Sequence, residues 1–364
     1  MTANRYVTRH GATRSLLHTV ACMTVAATAT VLCAPVVSSA PTDTYAVTAT
    51  IPVTGTAEGI AISPDGARAY VTHGDEGAGQ LSVIDTTTKS VVSTIPVGDF
   101  PVGVSVSPDG GTVYAGSNGD DTVSVINTAT NNVAAVIPVG DGPLGVTVTP
   151  DGAKVLVASQ FDGHLTIIDT VTNTLALGGT TMFLAVSPDG RTAYVTDSSS
   201  NSIATVDIAT AALTGRIPTL ASPLAVDITD DGRTLYVTET NGFTAGQVSI
   251  IDATSHTVTA TIPVAEAAGG IDIAPDGHTA YIAHSTPTNA VTVLDTATRT
   301  VTATVPITEN GQLIAVTPNS ADAYVTSQYD TVSVVSNTST HTEPPTTTPP
   351  IPPATGSLGT IFGS

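Results

Sequence analysis

The sequence predicts an all-β protein, a β-propeller of seven four-stranded antiparallel blades, on three observations. The turn "SPDG" or a close variant recurs with its second residue at Pro64, Pro108, Pro150, Pro188, Asp230, Pro275 and Pro318, a spacing of 38 to 45 residues. Each copy holds four short runs rich in Val, Thr, Ile and Ala, and no copy shows a helical period. The last copy is one run short, and the chain ahead of the first copy has one run to spare.

The elements follow in order. Residues 1–40 carry Arg5, Arg9 and Arg14 with no acid, then the small apolar run "SLLHTVACMTVAATATVLCAPVVSSA". This reads as a secretory signal peptide cut near "VSSAP". The alternative is an uncleaved anchor, since the run is near the roughly 20 residues a span needs. Its removal leaves no transmembrane span. Residues 41–336 hold the propeller.

In the second copy "VGVSVS", "TVYAGS", "TVSVIN" and "VAAVIPV" are the four strands. "SPDGG" turns between the first two: Pro sets φ at the corner, Asp bonds back to the backbone and Gly takes the positive φ. "DTTTK", "NTATN", "DTVTN" and "DTATR" form the second hairpin, where Asp or Asn and the Thr hydroxyls satisfy turn amides. Strands such as "SVIDT" are apolar at more than alternate positions, as expected where neighbouring blades cover both faces. Four strands repeated every forty-odd residues is a propeller pattern. A β-helix has shorter coils, and an immunoglobulin array about a hundred residues per unit.

The seventh copy has "LIAVTP", "AYVTSQ" and "TVSVVSN" and no fourth strand. Residues 45–53, "YAVTATIPV", are expected to supply it, closing the ring and removing exposed sheet edges. Residues 337–364 are Pro/Thr-rich and read as an extended spacer or disordered end.

Charge narrows the partners. The chain has 10 Lys and Arg against 30 Asp and Glu, a formal net charge of −20, and without residues 1–40 it has 7 against 30, or −23. Such a surface repels nucleic acid and anionic lipid. Cys22 and Cys33 are the only cysteines, so the exported chain has neither a disulfide nor a thiolate metal site.

"AYVTHG", "AYVTDS", "LYVTET" and "AYVTSQ", each after the turn and before a "VSVID"-like strand, resemble the Tyr-Val-Thr-Asn family of propeller repeats over residues 45–336. No copy keeps the Asn. The resemblance implies the propeller fold and an exported or cell-envelope location in bacteria, and it implies no one activity.

The copies differ at two polar positions. The residue after "YVT" or its equivalent is His73, Ser117, Ser159, Asp197, Glu239, His284 or Ser327, expected to start loops on the face where ligands reach the channel. Three residues before the turn, on the innermost strand, stand Ala61, Ser105, Thr147, Ala185, Asp227, Asp272 and Ala315. Small residues belong there because blades crowd near the axis, so Asp227 and Asp272 stand out in adjacent blades.

Asp227, Asp272, Glu239 and His284 are therefore the candidate catalytic residues, and also candidate ligands for a divalent metal ion through oxygen and imidazole. Two nearby carboxylates can also divide acid and base roles. Structural hydrogen bonding of the same residues is the competing reading. Asp197, His73, Phe100 and Phe183 are candidate binding residues, with Phe161, Met182 and Phe243 adding aromatic or apolar surface and Asp75, Glu76, Asp99, Asp120, Asp121, Asp141 and Asp162 adding negative charge. No copy has a nucleophile elbow or a phosphate loop.

Two functions remain open. One is a secreted or envelope-associated binding, scaffold or surface-layer propeller presenting its loop face to a protein or glycan. The other is a propeller enzyme, a metal-assisted lactonase or lyase, with its site at the channel mouth of blades 4–6.

Overall fold

The computed structural model describes residues 43–74, 77–169, 172–240, 246–285 and 287–339. Residues 1–40, the tail beyond Ser339, and Asp75, Glu76 and Phe243 lie outside the described residues. Seven four-stranded antiparallel sheets form a ring, six running outward in chain order from the axis and the seventh ending outward on the first described strand. The inner strands are Ala57–Ile62, Pro101–Val106, Pro143–Val148, Thr181–Val186, Ser222–Ile228, Ala268–Ile273 and Gly311–Val316 in blades 1 to 7. Each packs on the next, and the seventh packs on the first.

Tyr45–Pro52 closes the ring as the outer strand of blade 7, in register from Tyr45 opposite Asn337 to Pro52 opposite Thr331. Ile51 (1% exposed) and Val53 enter the core shared by blades 7 and 1, beside Val332, Val334 and Tyr324. The spare first run and the missing last run are one blade.

The "YVT" repeat is glue between blades. Thr72 Oγ1 donates to Val102 O of blade 2 (2.7 Å) and accepts from Gly59 N of its own inner strand (2.8 Å). Thr196, Thr238 and Thr326 do the same toward Leu224 O, Gly269 O and Glu58 O of the following blade. Tyr324 and Tyr236 are buried between blades and donate to Thr86 O and Thr296 O of the next one. A side chain that satisfies a buried carbonyl in the neighbouring sheet contributes both packing and direction.

The "SPDG" turns form a second belt. Asp65 Oδ1 accepts from Ser63 Oγ (2.6 Å) and Ala67 N (2.9 Å), while Gly66 takes φ 71°. A Cβ on Gly66 would meet the Pro318 ring of blade 7 at 3.3 Å, and Gly110, Gly152, Gly190 and Gly232 abut Pro64, Pro108, Pro150 and Pro188 in the same way. Gly277 faces open space, because its predecessor in the ring is Asp230 rather than proline.

Candidate functional site

The inner strands line an axial channel. Ile60, Val104, Val146, Leu184, Val226, Ile271 and Ile314, one from each blade, form a branched aliphatic ring. On the loop side lies a chamber of about 200 Å³, walled also by Leu144, Phe183, Leu313 and glycine backbone. On the side of the "SPDG" hairpins lies one of about 310 Å³, where Thr147, Ala185, Asp227, Asp272 and Ala315 add to the aliphatic wall.

The four candidate catalytic residues do not share one mouth. Asp227 stands opposite Tyr236 and Asp272 opposite Tyr281, whereas Glu239 stands opposite Pro223 and His284 opposite Ala268. Three residues of strand separate each pair, about 10 Å, and the odd count puts them on opposite sheet faces. Asp227 and Asp272 meet each other at the hairpin side of the aliphatic ring. Among the described residues no three His, Cys, Asp or Glu side chains gather closely enough to hold a metal ion.

Asp227 Oδ2 accepts from Ile273 N (2.8 Å) and Oδ1 from Ile228 N (2.8 Å); Asp272 Oδ2 accepts from Val316 N (2.6 Å). The two carboxyls also stand together in the wall of one chamber, where like charges repel, and this favours keeping a proton between them. Both touch the chamber but lie deep in the ring, and burial is the main force on them. It pushes Asp227 up to about 6 against its backbone donors, and burial with the Asp227 charge pushes Asp272 well above the carboxylate range.

The seven residues after "YVT" are buried rather than displayed, with no more than 2% exposure. His73 Nδ1 donates to Thr54 O (2.5 Å), a carbonyl that can only accept, leaving Nε2 to accept from Ser82 Oγ (2.7 Å). His284 repeats this with Glu266 O (3.1 Å) and Thr292 Oγ1 (2.8 Å). Burial holds both imidazoles below their usual pKa, with the carbonyls acting against it.

Asp197 is taken by Ser199 Oγ (2.8 Å), Ser200 Oγ (2.6 Å), Thr180 N (3.0 Å) and the Arg216 guanidinium (2.9 Å). Burial raises its pKa, and those donors together more than reverse the effect. Glu239 Oε2 accepts from Ala221 N (3.0 Å) and Gln247 Nε2 (2.7 Å), while Oε1 has no protein partner. At this position His73, Asp197, Glu239, His284 and Ser327 tie the incoming loop to its blade, and Asp197 and His73 are buried among protein partners.

Phe183 lines the loop-side chamber, and Phe100, 41% exposed with φ 45°, stands on the loop surface. Phe161 is more exposed, at 64%. Asp99, Asp120, Asp121 and Asp162 lie in the same loops of blades 2 and 3 and accept turn amides from Gly77, Asp99, Gly142 and Asp141.

Sequence reasoning passed over Glu58. It stands six residues before Pro64, where the other copies carry Val102, Leu144, Met182, Leu224, Gly269 and Gln312. Burial pushes its carboxyl up to about 7. The lone charge at that repeat position was the available signal.

No protein-family model matches the sequence, and no curated protein matches it. Solved structures do. Hydrazine synthase of Kuenenia stuttgartiensis superposes with a TM-score of 0.71 at 21% identity, over 79% of this chain and 96% of that one. The Cps50 (Swd1) β-propeller domain of Myceliophteria thermophila gives 0.68 at 11% identity, over 80% and 99%. Likeness at these identities shows the fold.

Proposed function

We propose that the protein is an exported, non-catalytic binding propeller of the Tyr-Val-Thr-Asn type, and that its loop face takes a basic protein partner at the cell envelope. The segregation of charge carries this reading. Of the seven Lys and Arg after residue 40, Arg68, Lys89, Lys154, Arg191, Arg233 and Arg299 stand in or beside the hairpins. Only Arg216 lies toward the loop face, bonded to Asp197 (2.9 Å). The arc of Asp99, Asp120, Asp121, Asp141 and Asp162 therefore has no lysine or arginine against it, only the His164 imidazole on Asp162 (2.7 Å), with Phe100 and Phe161 exposed beside it. Carboxylates steer a cationic partner, and aromatic rings give arginine and lysine stems a surface to stack on.

A lysine- and arginine-rich peptide is the probe, titrated against the purified protein at low and high salt. Asp99→Asn with Asp141→Asn and Phe161→Ser should weaken binding severalfold at low salt. Asp109→Asn with Asp151→Asn, on the hairpin face, should not. Equal loss from both sets would make the attraction one of net charge alone and remove the loop face from the proposal. The enzyme reading rests on the proton-sharing Asp227–Asp272 pair; loss of a turnover in Asp227→Asn would support it.

A further inference from the structure

Where the residue three before the turn is polar, it couples consecutive blades. Ser105 Oγ accepts from Val148 N of blade 3 (3.2 Å), and Thr147 Oγ1 donates to Leu184 O of blade 4 (3.4 Å). Asp227 and Asp272 do this with carboxyls, reaching Ile273 N of blade 6 and Val316 N of blade 7. Blades 5, 6 and 7 are thus tied in series through two side chains that also bond to each other. We propose that the proton shared by Asp227 and Asp272 is a latch holding blades 5, 6 and 7 together at the channel, and that its loss loosens this arc of the ring.

The physical reason is like-charge repulsion. With one proton present, one carboxyl donates to the other and both still accept backbone amides. Without it, two negative charges sit in contact among aliphatic side chains, and the strain relaxes by parting the inner strands they bridge. Nothing nearby offsets the charge. Among the described residues, the other inner strands carry one titratable side chain, Glu58, on the far side of the aliphatic ring. Tyr236 and Tyr281 stand cross-strand from the pair. The adjoining turns add Asp230, whose charge bears on Asp227, with Asp231, Asp276 and His278; Arg233 acts on Asp231. The strand of blade 7 that receives Asp272 contributes no charge.

The sign follows from linkage. The folded chain binds the pair's protons more tightly than the unfolded chain, so the contribution is full below the ordinary carboxyl value of 3.8 and is lost as pH rises through the raised range of Asp227 and then Asp272. Glu58 acts in the same direction, and His73 and His284 add a slope below it. The test therefore compares wild type with Asp227→Asn and with Asp272→Asn. Thermal midpoints are recorded from about pH 5 to about pH 9. An asparagine amide can replace the shared proton as donor at every pH. The wild-type midpoint should fall more steeply with rising pH across this range than that of either variant. Parallel curves would overturn the latch. Should neither variant fold, infrared spectra of Glu58→Gln, which removes the other raised carboxyl, decide: a protonated-carboxyl stretch persisting at neutral pH and vanishing at alkaline pH supports the latch, and its absence at neutral pH refutes it.

Discussion

Replacing Ile51 by Ala tests ring closure with a single side chain. Ile51 is 1% exposed and packs with Val53, Ile60, Tyr324, Val332 and Val334, where the first described strand meets the last. The substitution removes three carbons at about 0.8 kcal/mol each, and the cavity left in a core bounded by two sheets adds to that. The expected loss is about 3–4 kcal/mol. A degree or two of midpoint per kcal/mol suits a domain of this size, so thermal unfolding should come about 3–8 °C earlier. The control is Val136→Ala, on the outer strand of blade 2 at 57% exposure, expected to change stability by less than about 0.5 kcal/mol. Circular dichroism melts of both proteins supply the comparison. If the two midpoints coincide, residues 45–52 do not close blade 7, and the shared core described for blades 7 and 1 is wrong.

Thr326→Val removes the hydroxyl between Leu313 N, Leu313 O and Glu58 O and should cost about 1–3 kcal/mol in chemical denaturation, because a buried carbonyl loses its donor. A null result would reduce the "YVT" threonine to packing. Asp230→Pro restores the proline missing from the turn belt opposite Gly277 and should stabilise by about 0.5–1 kcal/mol in the same assay; destabilisation would show that the belt's geometry differs in blade 5. Burial holds the His73 and His284 imidazoles below their usual pKa, so the unfolded chain takes up their protons first as pH falls below about 6.5. These two groups subtract stability on the acid side, against the opposite slope of Asp227, Asp272 and Glu58, and the double variant His73→Gln with His284→Gln should lose less stability than wild type as a pH–melting curve is followed from about pH 7 to about pH 5.

The repeat period, the four runs per copy and the run displaced from the last copy to the front were legible because each is a local pattern with one geometric solution. The polar residues were harder to place. Asp227 and Asp272 announced themselves as charges where small side chains recur, and the structure brings them together. Glu239 and His284 break the pattern equally well, yet three residues of strand send them to another level and the opposite sheet face. The residues after "YVT" read as loop residues because they are polar, and they prove to be buried, five of them, His73, Asp197, Glu239, His284 and Ser327, anchoring the incoming loop.

The sequence by itself determined the blade count, the turn chemistry and the closing strand, since strand period and turn geometry depend on neighbours along the chain. Tertiary structure alone decided which polar groups share a space, that "YVT" joins blades rather than displaying a site, and that burial acts on one carboxyl pair together. Those properties depend on residues from different blades, about forty positions apart or more, and on the water excluded between them. Neither is written in any single repeat.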